Sequence, residues 1–177
     1  MTEARVTQIR PAVVDDAAAI AEMHVRSWQA GYRGLLPDDF LAGLSVDDRR
    51  RRWTERLGDP NGTVTVLVAE PDGHIRGFVS FGPSRDPGAP PEVGELIAIY
   101  VDPAYWRHHL GSTLHQRAIE MLTAQGFREA TLWVLAGNER ACAFYEQAGW
   151  VADGVTKTEP WDAVTIREVR YRRQLSA

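Results

Sequence analysis

Apolar and polar positions alternate along this chain with two periods, and the points where the period changes divide it into strands and helices. Val6 to Arg10 reads as a short strand ended by Pro11. Asp15 and Asp16 then stand where helix N-caps belong, and Ala17, Ile20, Ala21, His24 and Trp28 recur at helical spacing until Gly31 and Gly34 break the pattern. Pro37 and two aspartates start another short helix, and Asp47 and Asp48 cap a third that runs towards Leu57. Thr63 to Glu70 and Ile75 to Phe81 predict a hairpin turned at Pro71-Asp72-Gly73-His74. Gly82 to Gly94, rich in proline and glycine, reads as a loop.

The second half has a different texture. Glu95 to Val101 is a nearly continuous apolar run, the mark of a strand buried on both faces, and Asp102-Pro103 ends it. Leu110, Leu114, Ala118, Met121 and Leu122 predict a long amphipathic helix closed by Gly126. Ala130 to Leu135 is a second buried strand. It leads into a helix over Asn138 to Ala148, which sets Ala141, Phe144, Tyr145 and Ala148 on one side and has Gly149 at its end. Val151 to Lys157 and Val164 to Tyr171 are the last strands. The strand–helix–strand–helix segment implies parallel pairing and the hairpins imply antiparallel pairing, so the fold class is α/β with a mixed sheet and helices packed on it.

Composition narrows the function classes. The 177 residues suit one domain, 1–177, with 44% hydrophobic and 25% charged residues as in ordinary globular proteins. A net charge of -4 argues against a general nucleic-acid binder, because neutralising phosphates needs a basic surface. The Arg49 to Arg52 run reads as a solvated helix surface, since four consecutive helical residues fan around the whole circumference. The single cysteine, Cys142, excludes an internal disulfide. No apolar run approaches the roughly 18 residues needed to cross a bilayer, and the start MTEARVTQIRP lacks the apolar centre of a signal peptide. A cytoplasmic protein is expected, with no membrane or nucleic-acid partner.

Two stretches carry chemistry. In Tyr100-Val101-Asp102-Pro103-Ala104-Tyr105-Trp106-Arg107-His108-His109-Leu110-Gly111-Ser112 a buried strand ends and a helix opens near Gly111. Free backbone N–H groups at such a helix start suit a phosphate or pyrophosphate, with Arg107 as a charge at the rim. Many strand-to-helix turns bind nothing, so both readings stand. In the second stretch, Leu132 to Ala141 followed by Phe144-Tyr145-Glu146 and Gly149-Trp150, Asn138 reads as a helix cap and Tyr145 as a core aromatic. Functional roles are the alternative. The adjacent His108-His109 pair predicts no metal site, because neighbouring side chains diverge and no further ligand cluster is visible.

Taken together, the two stretches resemble the GNAT superfamily of acetyl-CoA-dependent N-acetyltransferases. Val101-Asp102-Pro103 and Trp106 to Gly111 stand where that family has a Val-x-Pro-like strand end and a Gln/Arg-x-x-Gly-x-Gly/Ala loop. Asn138, Ala141, Phe144, Tyr145, Gly149 and Trp150 match its Asn-x-x-Ala-x-x-Phe-Tyr-x-x-x-Gly-Phe pattern. The likeness extends to Ile9-Arg10-Pro11 and the hairpin. Two positions depart from it: Trp106 replaces the loop's Gln or Arg, and His109 replaces its first glycine, setting a Cβ where backbone approaches the pyrophosphate.

The resemblance implies a mostly antiparallel twisted sheet of about seven strands with a parallel central pair, flanked by about four helices. It implies acetyl-CoA as cosubstrate and no metal, with the pantetheine arm in a V-shaped gap along Ile99, Tyr100 and Val101. The pyrophosphate would lie on Arg107, His108, His109, Leu110, Gly111 and Ser112, with Asn138 also reaching the cosubstrate. Tyr145 stands as general acid for the departing thiolate, and no protein nucleophile is needed, so Cys142 has no catalytic part. Glu95, on the strand that would meet the thioester, is the candidate general base through water, with a solvated strand-edge glutamate as the alternative. Trp28, Tyr32 and the loop from Pro83 to Pro91 would wall the pocket of a small-molecule or peptide amine. The resemblance also allows a homodimer made through the sheets, with Val164 to Tyr171 contributing. The alternative is a domain of the same fold that binds the cosubstrate with weak or no catalysis. His109 favours that reading, while Asn138 and Tyr145 count against it.

Overall fold

In the computed structural model, which describes residues 7–176, seven strands form one sheet. They are β1 (Gln8–Pro11), β2 (Thr65–Glu70), β3 (Gly77–Pro83), β4 (Val93–Val101), β5 (Glu129–Leu135), β6 (Val151–Trp161) and β7 (Val164–Gln174). Their order across the sheet is β1-β2-β3-β4-β5-β7-β6, and every pair is antiparallel except β4 with β5. Helices α1 (Ala17–Gly31), α2 (Asp38–Ala42), α3 (Val46–Gly58), α4 (Leu110–Ala124) and α5 (Glu139–Gln147) complete the fold. This is the expected mixed sheet with one parallel pair, four longer helices and one short one. Val6, the predicted start of β1, lies outside the described residues.

Alternation in the strands builds two layers. Val66, Val68 and Phe78 face α1 and α3, where Ile20, Met23 and Trp53 close one core. Leu67, Ala69, Val79 and Phe81 face α4, packing on Leu114, Ala118 and Leu122 in the other. One irregularity interrupts the alternation: Ser80 pairs with Ala98 but Phe81 with Leu96, so Ile97 is an extra residue in β4. That bulge switches the phase of the strand. Leu96 belongs to the α4 core, whereas Ala98 and Tyr100 turn towards α1.

Several boundaries differ from the sequence reading. β4 begins at Val93, because Pro83 and Gly82 continue β3 and pair with Gly94 and Glu95, leaving the loop shorter than predicted. β3 begins at Gly77, since the Arg76 N–H returns to the Ala69 carbonyl and its guanidinium holds Asp72 in the turn. β6 runs on to Trp161 and reverses at Asp162, which sits at φ 51°. Pro160 is tolerated there because β6 is the sheet edge. β7 has partners on both sides, so edge-to-edge pairing between two copies would fall to β6 or β1 rather than to Val164–Tyr171.

The helix starts also differ in detail. Ser45, not Asp47 or Asp48, caps α3 by accepting the Asp48 N–H at 3.1 Å, and the two aspartates occupy the first turn, where the helix dipole favours negative charge. Asp16 makes no cap bond to α1. It accepts from the Val13 N–H and pairs with Arg10 at 2.7 Å, clamping β1 to the helix start. In the arginine run, Arg50, Arg51 and Arg52 are exposed as predicted, but Arg49 is half-buried and lies 4.3 Å over the Trp28 ring.

Candidate active site

β4 and β5 pair at only three positions, Val93 with Glu129, Gly94 with Ala130 and Glu95 with Thr131. Beyond them β5 stays with β7 and β4 stays with β3, so the two central strands splay apart. The gap is a cavity of about 160 Å³, walled by Ile97 to Val101 on one side and Trp133 to Leu135 on the other. Along that length β4 has backbone hydrogen-bond partners on its β3 edge, and its other edge faces the cavity. An extended ligand can therefore pair with β4 as a strand would.

From α5 and the loop before α4, the side chains of Trp106, Asn138, Arg140 and Tyr145 close the cavity; from α1, β6 and β7, Tyr32, Trp161 and Glu168 do so. The cavity thus brings together Ile99, Tyr100, Val101, Asn138, Tyr145 and Tyr32, all residues that the sequence reading assigned to the site. Trp28 is buried behind it, stacked on Trp161 at 4.9 Å and 29°. The Pro83–Pro91 loop does not line the cavity; Arg85 and Asp86 in it are spent on Glu95 and on Trp133 and Arg170.

The loop into α4 sits outside the cavity, at the end of β4. Arg107, His108, His109 and Ser112 are exposed, Gly111 is half-buried, and the Leu110 side chain is buried in the core, so Leu110 can offer only its backbone. His109 is the residue before the helix, at φ 60° and ψ 7°, and makes no side-chain cap bond. The N–H groups of Leu110, Gly111 and Ser112 thus have no acceptor in a preceding turn. His109 adopts the left-handed conformation that a glycine takes without strain. Its Cβ therefore leaves the path of the backbone unchanged. Trp106 does the tethering at the loop's first position. Its Nε1 donates to the Val101 carbonyl at 2.9 Å, and Arg140 stacks on its ring at 3.8 Å. Asp102, buried, ties the same loop to α1 through Arg26 at 2.8 Å.

Asn138 caps α5, its Oδ1 accepting the Ala141 N–H at 3.2 Å, and also lines the cavity, so the cap does not take it away from the site. Tyr145 projects into the gap from α5, and burial pushes its phenol above the ordinary value. It holds its proton at neutral pH.

Glu95 is not where a base would act. Its carboxylate is 2% exposed and closed off by Arg85, whose backbone N–H donates at 2.8 Å and whose guanidinium donates at 2.6 Å. It takes no part in lining the gap. Sequence reasoning missed Glu168 and Trp161, which do line it. A signal existed: Glu168 continues the apolar phase of Val164 and Ile166 in an alternating strand, where a carboxylate is out of place. Trp161 was lost because Pro160 hid the length of β6. Among the described residues, no group of three or more His, Cys, Asp or Glu side chains is arranged to hold a metal ion, and no helix is long and apolar enough to cross a membrane.

Comparison with known proteins adds to this geometry. The sequence profile of the acetyltransferase (GNAT) family matches residues 20–150. A Bacillus subtilis protein named as the uncharacterized N-acetyltransferase YuaI is 32% identical over 139 residues, covering 78% of this chain and 76% of its own. Phosphinothricin N-acetyltransferase of Streptomyces viridochromogenes is 26% identical over 160 residues, 88% of this chain and 80% of its own. Among solved structures, PaiA N-acetyltransferase from Thermoplasma acidophilum, crystallised with coenzyme A, superposes with a TM-score of 0.73 at 20% identity, over 96% of this chain and 99% of that one.

Proposed function

The chain belongs to the acetyltransferase (GNAT) family, and from that premise we propose that it transfers the acetyl group of acetyl-coenzyme A to a primary amine by direct attack. The observation that carries the proposal is the splayed gap between β4 and β5, lined by Tyr32 and Trp161 and by Val101 and Trp106, which precede the uncapped start of α4. Acetyl-CoA would supply the acyl group as a thioester.

The residues present fit that molecule. The free edge of β4 from Ile97 to Val101 matches the alternating amides of a pantetheine arm. The backbone N–H groups of Leu110, Gly111 and Ser112, with Arg107 beside them, match a pyrophosphate, and the dipole of α4 adds to the attraction. The bulge leaves Ile97 without a partner in β3, and Ile97 lines the cavity, so a backbone N–H there would be available to polarise a carbonyl oxygen.

The chemistry then needs two proton movements. An acceptor amine must lose a proton before its nitrogen can form the C–N bond. The departing thiolate must gain one as the C–S bond breaks, and Tyr145, which lines the gap, would give it. A phenol raised by burial is a weak acid, yet a thiolate with a free pKa near about 8.5 is shielded from water in the gap and gains from a hydrogen-bond donor at hand.

Tyr145→Phe tests the assignment. Thiol release from acetyl-CoA, followed with a thiol reagent over a panel of amines, should fall by about 10²-fold or more in kcat. The affinity for coenzyme A should stay within a factor of about three, because the ring and its packing remain. Unchanged turnover would remove Tyr145 from the mechanism.

A further inference from the structure

Glu168 is a buried carboxylate that the transfer chemistry above does not use. It lies on β7 opposite Leu135 of β5, is 5% exposed, and lines the cavity between β4 and β5. Its Oε2 has no hydrogen-bond partner. Burying such an atom without one costs on the order of 1–3 kcal/mol, so it calls for a ligand.

The local charge count points the same way. Lys157 on β6 approaches Oε2 to 3.4 Å without hydrogen-bond alignment. The same ammonium is shared with Glu159 at 3.3 Å and rests 4.4 Å over the Trp133 ring. Two carboxylates thus divide one cation. Arg85, from the loop before β4, also faces this region but is held by the Glu95 carboxylate. From α1 and β4 the facing groups are Tyr32 and Tyr100, whose hydroxyls bond each other at 2.9 Å and which burial keeps neutral. From α5 Arg140 also lines the cavity, stacked on Trp106, and from α3 Arg49 lies over Trp28; among the described residues neither pairs with Glu168.

Its walls suit the rest of such a ligand. Tyr32 and Trp161 meet edge to face with centroids 6.0 Å apart, and Trp28 stacks behind Trp161. Aromatic faces beside a carboxylate favour an ammonium over a neutral or anionic group. The volume of about 160 Å³ must also hold the donor's acyl end, so only a small amine-bearing part of an acceptor fits inside it.

We infer that Glu168 receives the acceptor's ammonium and takes its proton, and that the acceptor is a small primary amine whose apolar body lies against Tyr32 and Trp161. The inference rests on the N-acetyltransferase reading and supplies the base that Glu95 does not. The ammonium gives one proton to a Glu168 oxygen, and the freed nitrogen forms the C–N bond as the C–S bond breaks. Tyr145 protonates the sulfur. The second amine proton restores the Tyr145 phenol, and Glu168 releases its own to solvent.

Burial, and after it the neighbouring Glu159, push Glu168 up to about 7, with Lys157 opposing them. A base so placed is competent above that pH and protonated below it. The rate at low amine concentration therefore rises as pH climbs through about 7.

The experiment uses Glu168→Gln, which keeps shape and removes charge, with Glu168→Asp as a second variant that keeps the charge. Tryptophan fluorescence follows titration of 2-phenylethylamine and of its neutral counterpart 2-phenylethanol, and calorimetry of coenzyme A runs on the same samples. We expect the wild type to prefer the amine, and Glu168→Gln to lose about tenfold or more of amine affinity while binding the alcohol as before. In turnover, Glu168→Gln should lose about 10²-fold in kcat/KM and the rising limb near neutral pH, with partial recovery in Glu168→Asp. No preference for the amine in the wild type, equal amine affinity in wild type and Glu168→Gln, or a pH limb retained in Glu168→Gln would each overturn the inference. Coenzyme A binding separates the two levels: if it is present, such a result counts against Glu168 alone. If the wild type does not bind coenzyme A, the acetyltransferase reading fails instead.

Discussion

His109 offers a test of the loop that is free of packing effects. It is exposed, makes no side-chain cap bond, and sits at φ 60° and ψ 7°. A side chain in the left-handed region costs roughly 1–2 kcal/mol, while glycine escapes that cost but adds roughly 0.4–1 kcal/mol of unfolded-state entropy. His109→Gly should therefore be as stable as the wild type or more so by up to about 1 kcal/mol. His109→Ala keeps the strained Cβ and gains nothing, so it should be less stable than His109→Gly by about 1 kcal/mol. For a domain of this size that difference corresponds to about 2–4 °C in Tm. Both variants keep the backbone N–H at the position, so thermal melting without ligand reads backbone strain set against unfolded-state entropy and nothing of the ligand. Repeating it with saturating acetyl-CoA adds the contribution of the loop. The glycine variant should gain at least as much from ligand as the wild type, because the Cβ beside the helix start is gone. An alanine variant as stable as the glycine variant would mean that residue 109 is not left-handed, and the account of the loop would fail.

Two further outcomes follow from buried groups away from the transfer chemistry. His115 accepts from the Trp150 Nε1 at 2.9 Å, and burial, with Arg173 adding to it, lowers it from 6.5 to about 4. Its neutral form belongs to the folded state and the unfolded chain takes up the extra proton. This contribution is complete above about 6.5 and is lost as pH falls towards about 4, by an amount on the order of 3 kcal/mol in urea unfolding. His115→Gln, which can still accept from Trp150, should flatten that stretch of the stability curve; an unchanged slope would contradict the assignment. Glu95→Gln leaves Arg85 half-exposed and able to reach water, so the cost should be about 1–3 kcal/mol of stability. The pH dependence of turnover should not move with it, and a lost limb in this variant would return Glu95 to the mechanism.

How much was legible in the sequence varied with the kind of interaction involved. The long apolar periods of α4, β4 and β5 and the motif from Asn138 to Trp150 set the fold and one wall of the site, because local pattern and packing agree there. The gap itself was legible only by resemblance: nothing local says that β4 and β5 part company after Glu95 and Thr131. Glu95 illustrates the limit. Its strand and its nearness to the gap were read correctly, but its partner Arg85 stands in a loop whose sequence shows only turns. Glu168 and Trp161 reach the site across strand pairings between β5, β7 and β6, and such long-range register leaves only a weak trace in one sequence.

The most direct test of the account is calorimetric titration of the protein with acetyl-CoA, set beside acetylated pantetheine, which lacks the pyrophosphate and nucleotide. We predict saturable binding of acetyl-CoA, with affinity largely lost on truncation, because on the proposed reading the start of α4 would hold the pyrophosphate and the edge of β4 the arm. Absence of binding by acetyl-CoA would contradict the account at its centre, leaving the gap between β4 and β5 without the ligand that explains it.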